Sequence, residues 1–393
     1  MNNIRQYNLN REISNLEISK IRQFDDQVSQ FKPLIRLTLG QPDFPTPEHV
    51  KEAAKKAIDA DYSFYTSTAG DLKLREAAAD FVSSKYKLTY SFESEVIATV
   101  GATEALATAL FTLLNPGDYV LIPSPSFTLY DSLVRMSQAI PVYMDTSQSG
   151  FMLTPDMLEE TIENLDKLPK AIILNYPNNP TGVTWTESEV RKLAEVLSRY
   201  PEMLAVSDEI YSEIVYDSTH VSLGEYLRDQ TIVINGLSKS HAMTGWRLGL
   251  IFAPETLTSE MLKTHQALVT SASSITQHAG IEALTHGADD ALPMKAAYRE
   301  RRDTVLQSLK KMQIKATEPK GAFYIFAEIP KELSLTSFEF CYDLARKFNV
   351  AVIPGDAFGD AGEGYFRISY ASSLEDIKEA MQRLTQYVSE LRK

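Results

Sequence analysis

The chain has 393 residues, 44% apolar and 23% charged, enough for two domains or one large domain with an appendage. Its formal net charge of −13, without a long basic run, argues against indiscriminate nucleic-acid binding, and the single Cys341 excludes an intrachain disulfide and a cysteine-rich metal site. Residues 1–6 lack the apolar core of a signal peptide and no later run is long enough to span a membrane, so a cytoplasmic location is expected.

In chain order, residues 11–31 place Ile18, Ile21, Phe24 and Val28 along one side at helical spacing, which predicts a packed amphipathic helix. A short strand over residues 34–39 ends at Gly40-Gln41-Pro42-Asp43-Phe44-Pro45-Thr46-Pro47. Three prolines there make a stiff connection and a candidate domain boundary, after which a helix runs from Pro47 toward Ala60. Short apolar runs then recur at residues 96–100, 119–122, 141–144, 171–174, 203–206, 231–234 and 248–252, most of them separated by helix-period segments. Strands without polar alternation, interleaved with helices, indicate a largely parallel sheet covered on both faces. Beyond about residue 290 the pattern becomes helix, strand 321–327, helix, strands near 350–353 and 365–369, and a final helix, which reads as a smaller α+β domain.

Ligands of such sheets lie beyond the carboxyl ends of the strands, so residues there are the site candidates. The stretch Gly236-Leu237-Ser238-Lys239-Ser240 follows one strand, and Arg247 lies eight residues beyond its lysine. A lysine at a buried strand end is placed for desolvation, which lowers its pKa and exposes a nucleophilic amine; a hydroxyl and an arginine beside it suit an anion. Gly101-Ala102-Thr103 opens a helix whose free N–H groups would cradle a phosphate, in a pattern matching neither the dinucleotide nor the nucleotide P-loop fingerprint. Phe127 could face an aromatic ligand, Asn179 could donate to a phenolate-like oxygen, Asp208 needs a cationic partner at its buried strand end, and Tyr211 lies three residues on. Arg367 sits in an apolar strand, which points to a carboxylate or phosphate partner. Each of these, taken alone, also has an ordinary reading as a cap, a turn, a core ring or a surface charge.

As an ordered set over nearly the whole chain, Gly40, the Tyr65 region, the Gly101 loop, Phe127, Asn179-Pro180-Thr181-Gly182, Asp208 with Tyr211, Ser238-Lys239, Arg247 and Arg367 resemble the class I/II pyridoxal-phosphate aminotransferases. The resemblance implies the fold type I α/β architecture, a large domain with a central, mostly parallel seven-stranded sheet plus a smaller α+β domain. It divides the chain into an N-terminal arm and part of the small domain (1–46), a large cofactor domain (47–290) and a small C-terminal domain (291–393). Lys239 would hold pyridoxal 5′-phosphate as a Schiff base and shuttle the substrate proton, in a ping-pong transfer of an amino group to a 2-oxo acid such as 2-oxoglutarate. Asp208 would keep the ring nitrogen protonated, Tyr211 and Asn179 would bind the ring hydroxyl, and Phe127 would stack on the ring. Ser238, Arg247, Ala102 and Thr103 would hold the phosphate, joined by Tyr65 from the other subunit of a homodimer. Arg367, Asn179 and the Gly40 backbone would clamp the substrate carboxylate.

Aspartate-specific relatives carry a lysine at the position aligned with Thr103, or an arginine from the partner near residues 263–275. Neither is evident here, Lys263 and His265 being the cations of that stretch, and a dedicated aspartate enzyme is disfavoured. The chain is most similar in look to aromatic aminotransferases of lactic acid bacteria, which makes an aromatic amino acid the first expectation, with Ile21 and Phe24 as apolar pocket residues. N-acetyl-LL-diaminopimelate aminotransferases of lysine biosynthesis, which share the stretch Thr231–His241, are the alternative, and a pyridoxal-phosphate carbon–sulfur β-lyase is a further one. A cofactor-sensing regulator is remote, because residues 1–46 are too short and too weakly basic for a DNA-binding module.

Overall fold

The computed structural model describes residues 9–393; the reading of residues 1–6 lies outside them. Among the described residues twelve strands form: β1 Ile35–Arg36, β2 Val96–Thr99, β3 Tyr119–Ser124, β4 Ile140–Asp145, β5 Ala171–Asn175, β6 Leu204–Asp208, β7 Thr231–Gly236, β8 Gly249–Phe252, β9 Tyr324–Glu328, β10 Val350–Ala351, β11 Ile353–Pro354 and β12 Tyr365–Ser369. The seven apolar runs become β2 to β8, one sheet in the order β2-β8-β7-β6-β5-β3-β4. All neighbours run parallel except β8, which is antiparallel to both β2 and β7.

Successive side chains of a strand point to opposite faces, so a strand buried on both sides must be apolar throughout. Strand β7 shows this: Ile232 and Ile234 pack with Leu106 and Leu110 of the helix Gly101–Leu113, whereas Val233 packs with Leu74 and Leu237 on the other face. A second sheet, β11-β12-β9, is antiparallel, and β1 pairs in parallel with β10. The N-terminal segment thus adds to the C-terminal part of the chain, and Phe24, Val28 and Leu37 enter the same apolar cluster as Phe323, Phe340 and Phe366.

The continuous helix expected over 11–31 is instead two, Arg11–Asn15 and Lys20–Val28. The first stops where Leu16 turns extended, and the second starts after Ser19. Ser19, which precedes the second helix, lines the cleft described below, and periodicity alone carries no signal for such a break.

Candidate active site

Strands β2, β5, β6 and β7 deliver their carboxyl ends to one edge of the large sheet, and the reversed β8 begins at that same edge, with Gly249 paired to Thr99 and Gly236. Arg247, just before β8, therefore lies beside the loop that follows β2. Contact there is close: a Cβ on Gly249 would come within 2.6 Å of the Ala102 nitrogen, and one on Gly101 within 2.5 Å of the Arg247 guanidinium. Gly101 also has φ +76, a conformation side chains rarely adopt. Two glycines thus let a permanent cation and a helix N-terminus converge on one point, the arrangement an anion requires.

A cavity of about 400 Å³ opens over this edge, lined among others by Ala102, Thr103, Phe127, Asn179, Asp208, Tyr211, Ser238, Lys239, Arg247 and Arg367. Lys239 sits on the short helix Leu237–Ser240 that follows β7, and its Nζ donates to the Gly40 carbonyl at 2.6 Å. Burial lowers its pKa to about 8; the Asp208 carboxylate opposes that shift, and Arg247 and Arg367 reinforce it. Its amine is therefore neutral in an appreciable fraction near neutral pH.

Asp208 ends β6, buried, with Oδ2 accepting from Tyr130 Oη at 2.7 Å and Oδ1 from the Ile210 N–H at 3.3 Å. Burial raises its pKa to about 6, while the two donors and Lys239 pull the other way. No cation bonds to it among the described residues, so this carboxylate fits a protonated ring nitrogen as its missing partner. Tyr130 is held fully protonated by burial beside Asp208, which makes its hydroxyl a dependable donor.

Arg367 is 2% exposed. Its Nη1 donates to Asn179 Oδ1 at 2.9 Å, its Nη2 to the Thr38 carbonyl at 2.5 Å, and its Nε has no partner. Aromatic rings flank it, Tyr324 at 4.6 Å and Phe358 at 4.8 Å, but no carboxylate bonds to it among the described residues. A buried guanidinium with an idle N–H is an incomplete ion pair, which a ligand carboxylate completes. Tyr211 and Tyr324 share a hydrogen bond of 2.7 Å between their hydroxyls. Asn175, at the end of β5, holds the Asn179 backbone N–H and the Asp208 carbonyl, locking the floor of the cleft.

One expected pocket residue lies elsewhere. Phe24 is 3% exposed and meets Phe338 edge-on at 6.0 Å, so it belongs to the apolar core; Ile21, three residues back, lines the cavity, with Ser19 and Arg22 beside it. Tyr65 is 85% exposed, away from its own chain's cavity. Lys263 pairs with Glu260 in solvent and His265 is buried against Glu104, so neither reaches its own chain's cavity. Tyr130, Tyr324 and Thr38 line it without having been singled out in sequence. Tyr130 lies three residues after Phe127, and Tyr324 is the only phenol in its apolar strand; neither carries a motif.

The family profile described as "Aminotransferase class I and II" matches residues 32–384. A probable N-acetyl-LL-diaminopimelate aminotransferase of Bacillus subtilis is 46% identical over 380 residues, covering 97% of this chain and 95% of that protein. An aspartate aminotransferase of Pyrococcus horikoshii is 39% identical over 385 residues, 97% of each chain. The crystal structure of an aromatic aminotransferase from Pyrococcus horikoshii superposes with a TM-score of 0.88 at 35% identity, covering 94% of this chain and 99% of that one. With the ordered strand-end residues, the depressed lysine and the unpaired buried arginine, these likenesses make the chain a member of the class I and II aminotransferases, enzymes that use pyridoxal phosphate.

Proposed function

We propose that the chain transfers the amino group of N-acetyl-LL-diaminopimelate to a 2-oxo acid, ahead of the aromatic donor that the resemblance first suggested. The observation that carries this reading is the 46% identity, over almost the full length of both chains, to a protein bearing that name. An aromatic donor remains the second reading, favoured by Ile21, Leu39 and Phe127 on the cavity wall.

Bound pyridoxal phosphate supplies the carbonyl that takes up the amino group and a ring that accepts electron density from the α-carbon. The residues of this chain divide the remaining work. Ser238, Arg247 and the N–H groups of Ala102 and Thr103, all on the cavity wall, would hold the phosphate. Asp208, oriented by Tyr130, would keep a proton on the ring nitrogen, Phe127 would cover the ring, and Tyr211 and Asn179 would bind its hydroxyl. Arg367 and Asn179 fix the substrate α-carboxylate, with the Gly40 backbone beside them. Lys239, uncharged once its proton is lost, takes the α-proton and returns it.

The exposed Tyr65 and its 82% exposed neighbour Phe64 support a homodimer in which Tyr65 completes the partner's phosphate site. The pairing of β1 with β10 supports residues 1–46 as an N-terminal arm and part of the small domain, with 291–393 as the small C-terminal domain and 47–290 as the large domain. A cytoplasmic location is part of the same proposal; among the described residues no helix is long and apolar enough to cross a membrane.

The test mixes the cofactor-loaded protein, without keto acid, separately with N-acetyl-LL-diaminopimelate, phenylalanine, tyrosine and aspartate while the cofactor absorbance is followed. Rapid conversion by the acetylated diamino acid supports the proposal. Conversion by the aromatic pair alone moves the assignment to the second reading, and ammonia and pyruvate release from cystathionine indicates the β-lyase.

A further inference from the structure

Next to Asp208 lies a second buried carboxylate, Glu209, that the machinery above does not use. Asp208 and Ile210 line the cavity, whereas Ser207 and Glu209 do not. Side chains alternate sides along an extended chain, and the pairing with β7 continues past Asp208, the Glu209 N–H donating to the Ile234 carbonyl at 2.8 Å. Glu209 Oε1 accepts from Ser207 Oγ at 2.8 Å and from Ser222 Oγ at 2.7 Å, and Oε2 accepts from His220 Nε2 at 2.8 Å. The Glu209 and His220 side chains are 2% and 3% exposed, although residues 217–219, just before His220, are exposed. The loop thus turns one side chain inward, where it meets the carboxylate and lies edge-on to the Tyr86 ring at 5.2 Å. No lysine or arginine pairs with Glu209 among the described residues.

The other ring nitrogen, His220 Nδ1, has no partner. A proton there would be a buried donor without an acceptor, so the ring that fits is the neutral one, giving its single N–H to the carboxylate. Three donors and no counter-cation leave the negative charge of Glu209 in place, in an interior that screens it little. We infer that Glu209, held by His220, Ser207 and Ser222, is a positioning residue acting through Asp208: its charge, one residue along the chain, strengthens the hold of Asp208 on a protonated ring nitrogen. The inference rests on the reading of Asp208 as the ring-nitrogen partner and holds for any amino donor. Glu209 opposes the ionisation of Asp208, and a ring cation beside Asp208 relieves that repulsion, which is the source of the added affinity.

The test measures the dissociation constants of the full-length, cofactor-free protein for pyridoxal 5′-phosphate and for its 1-deaza analogue, in which C–H replaces the ring nitrogen. At about pH 8 the Asp208 carboxyl, raised by burial to about 6, is ionised. The ratio of the two constants isolates the ring-nitrogen contact, because the bond to Lys239 and the phosphate contacts are common to both. Glu209→Gln, which keeps the shape and removes the charge, is expected to lower the preference for the nitrogen-bearing cofactor about tenfold, the order of one neighbouring unit charge in a protein interior. His220→Leu should lower it too, since a buried carboxylate short of a donor takes up a proton, whereas His220→Gln, which can keep an N–H on Oε2, should retain most of it. The His220 pair decides the matter should Glu209→Gln fail to fold. A preference moved less than about threefold by Glu209→Gln, equal loss in the two His220 variants, or a weakening of both constants together overturns the inference and leaves the cluster a structural anchor. Asp208→Asn should remove the preference; if it does not, the reading of Asp208 falls and the inference with it, whereas loss in Asp208→Asn without loss in Glu209→Gln overturns the inference alone.

Discussion

One methyl group at Gly40 tests the packing that connects the substrate clamp to the lysine. The Gly40 backbone is not in the left-handed region, so alanine is conformationally allowed and the perturbation is purely one of space. Its Cβ would lie 2.0 Å from Tyr324 Oη, 3.2 Å from Cζ and 3.5 Å from Cε1. Tyr324 cannot easily yield, being 1% exposed within β9 and bonded to Tyr211 at 2.7 Å. Overpacking of this kind costs about 1–3 kcal/mol, and breaking the tyrosine pair adds about 1 kcal/mol. Gly40→Ala is therefore expected to destabilise the protein by about 2–4 kcal/mol and, by shifting the carbonyl that Lys239 bonds at 2.6 Å, to lower kcat/KM. Tyr324→Phe alone should cost about 1 kcal/mol for the lost bond. In the double variant the hydroxyl is absent, the next contact is 3.2 Å, and most of the overpacking is relieved. Urea denaturation of the four cofactor-loaded proteins gives the double-mutant cycle, with an expected favourable coupling of about 1–3 kcal/mol. Costs that add within about 0.5 kcal/mol would refute the steric reasoning.

Three further outcomes are expected. In the cofactor-free protein, reductive trapping of an aldehyde on Lys239 should rise with pH around a midpoint of about 8, and Asp208→Asn should move that midpoint lower, because the carboxylate favours the charged amine; a midpoint at 10.5 or an upward shift contradicts the assignment. By linkage, the unfolded chain holds this proton more tightly, so the folding penalty is full below pH about 8 and disappears as pH rises toward 10.5. Arg367→Met should reduce kcat/KM for amino acids by about 100-fold, the loss of a charge-assisted carboxylate contact, while the cofactor absorbance persists; loss of bound cofactor instead would reassign the arginine. Phe24→Ala should destabilise the fold by about 3–5 kcal/mol without altering donor preference, whereas Ile21→Ala should alter preference at a smaller stability cost, and donor assays beside thermal unfolding separate the two.

The features legible in the sequence are local ones. Strands buried on both faces must be apolar along their whole length, so β2 to β8 announce themselves as seven runs, and the polar residue that ends each run is marked by its position. Asp208 and Lys239 were legible for that reason, and Gly101 because a small-residue turn opens a helix. The separation of Phe24 from Ile21 was not legible, since both are apolar and close together on one short helix, and only packing against Phe338 sends one to the core while the other meets the cleft. Tertiary structure also decided which distant groups each functional side chain meets. Lys239 finds the Gly40 carbonyl 199 residues away, Arg367 finds Thr38 across 329, and Tyr211 finds Tyr324 across 113. Such partners are set by the crossing of the N-terminal segment and the C-terminal sheet over the strand ends, and no periodicity of the chain encodes a contact between groups so far apart along it.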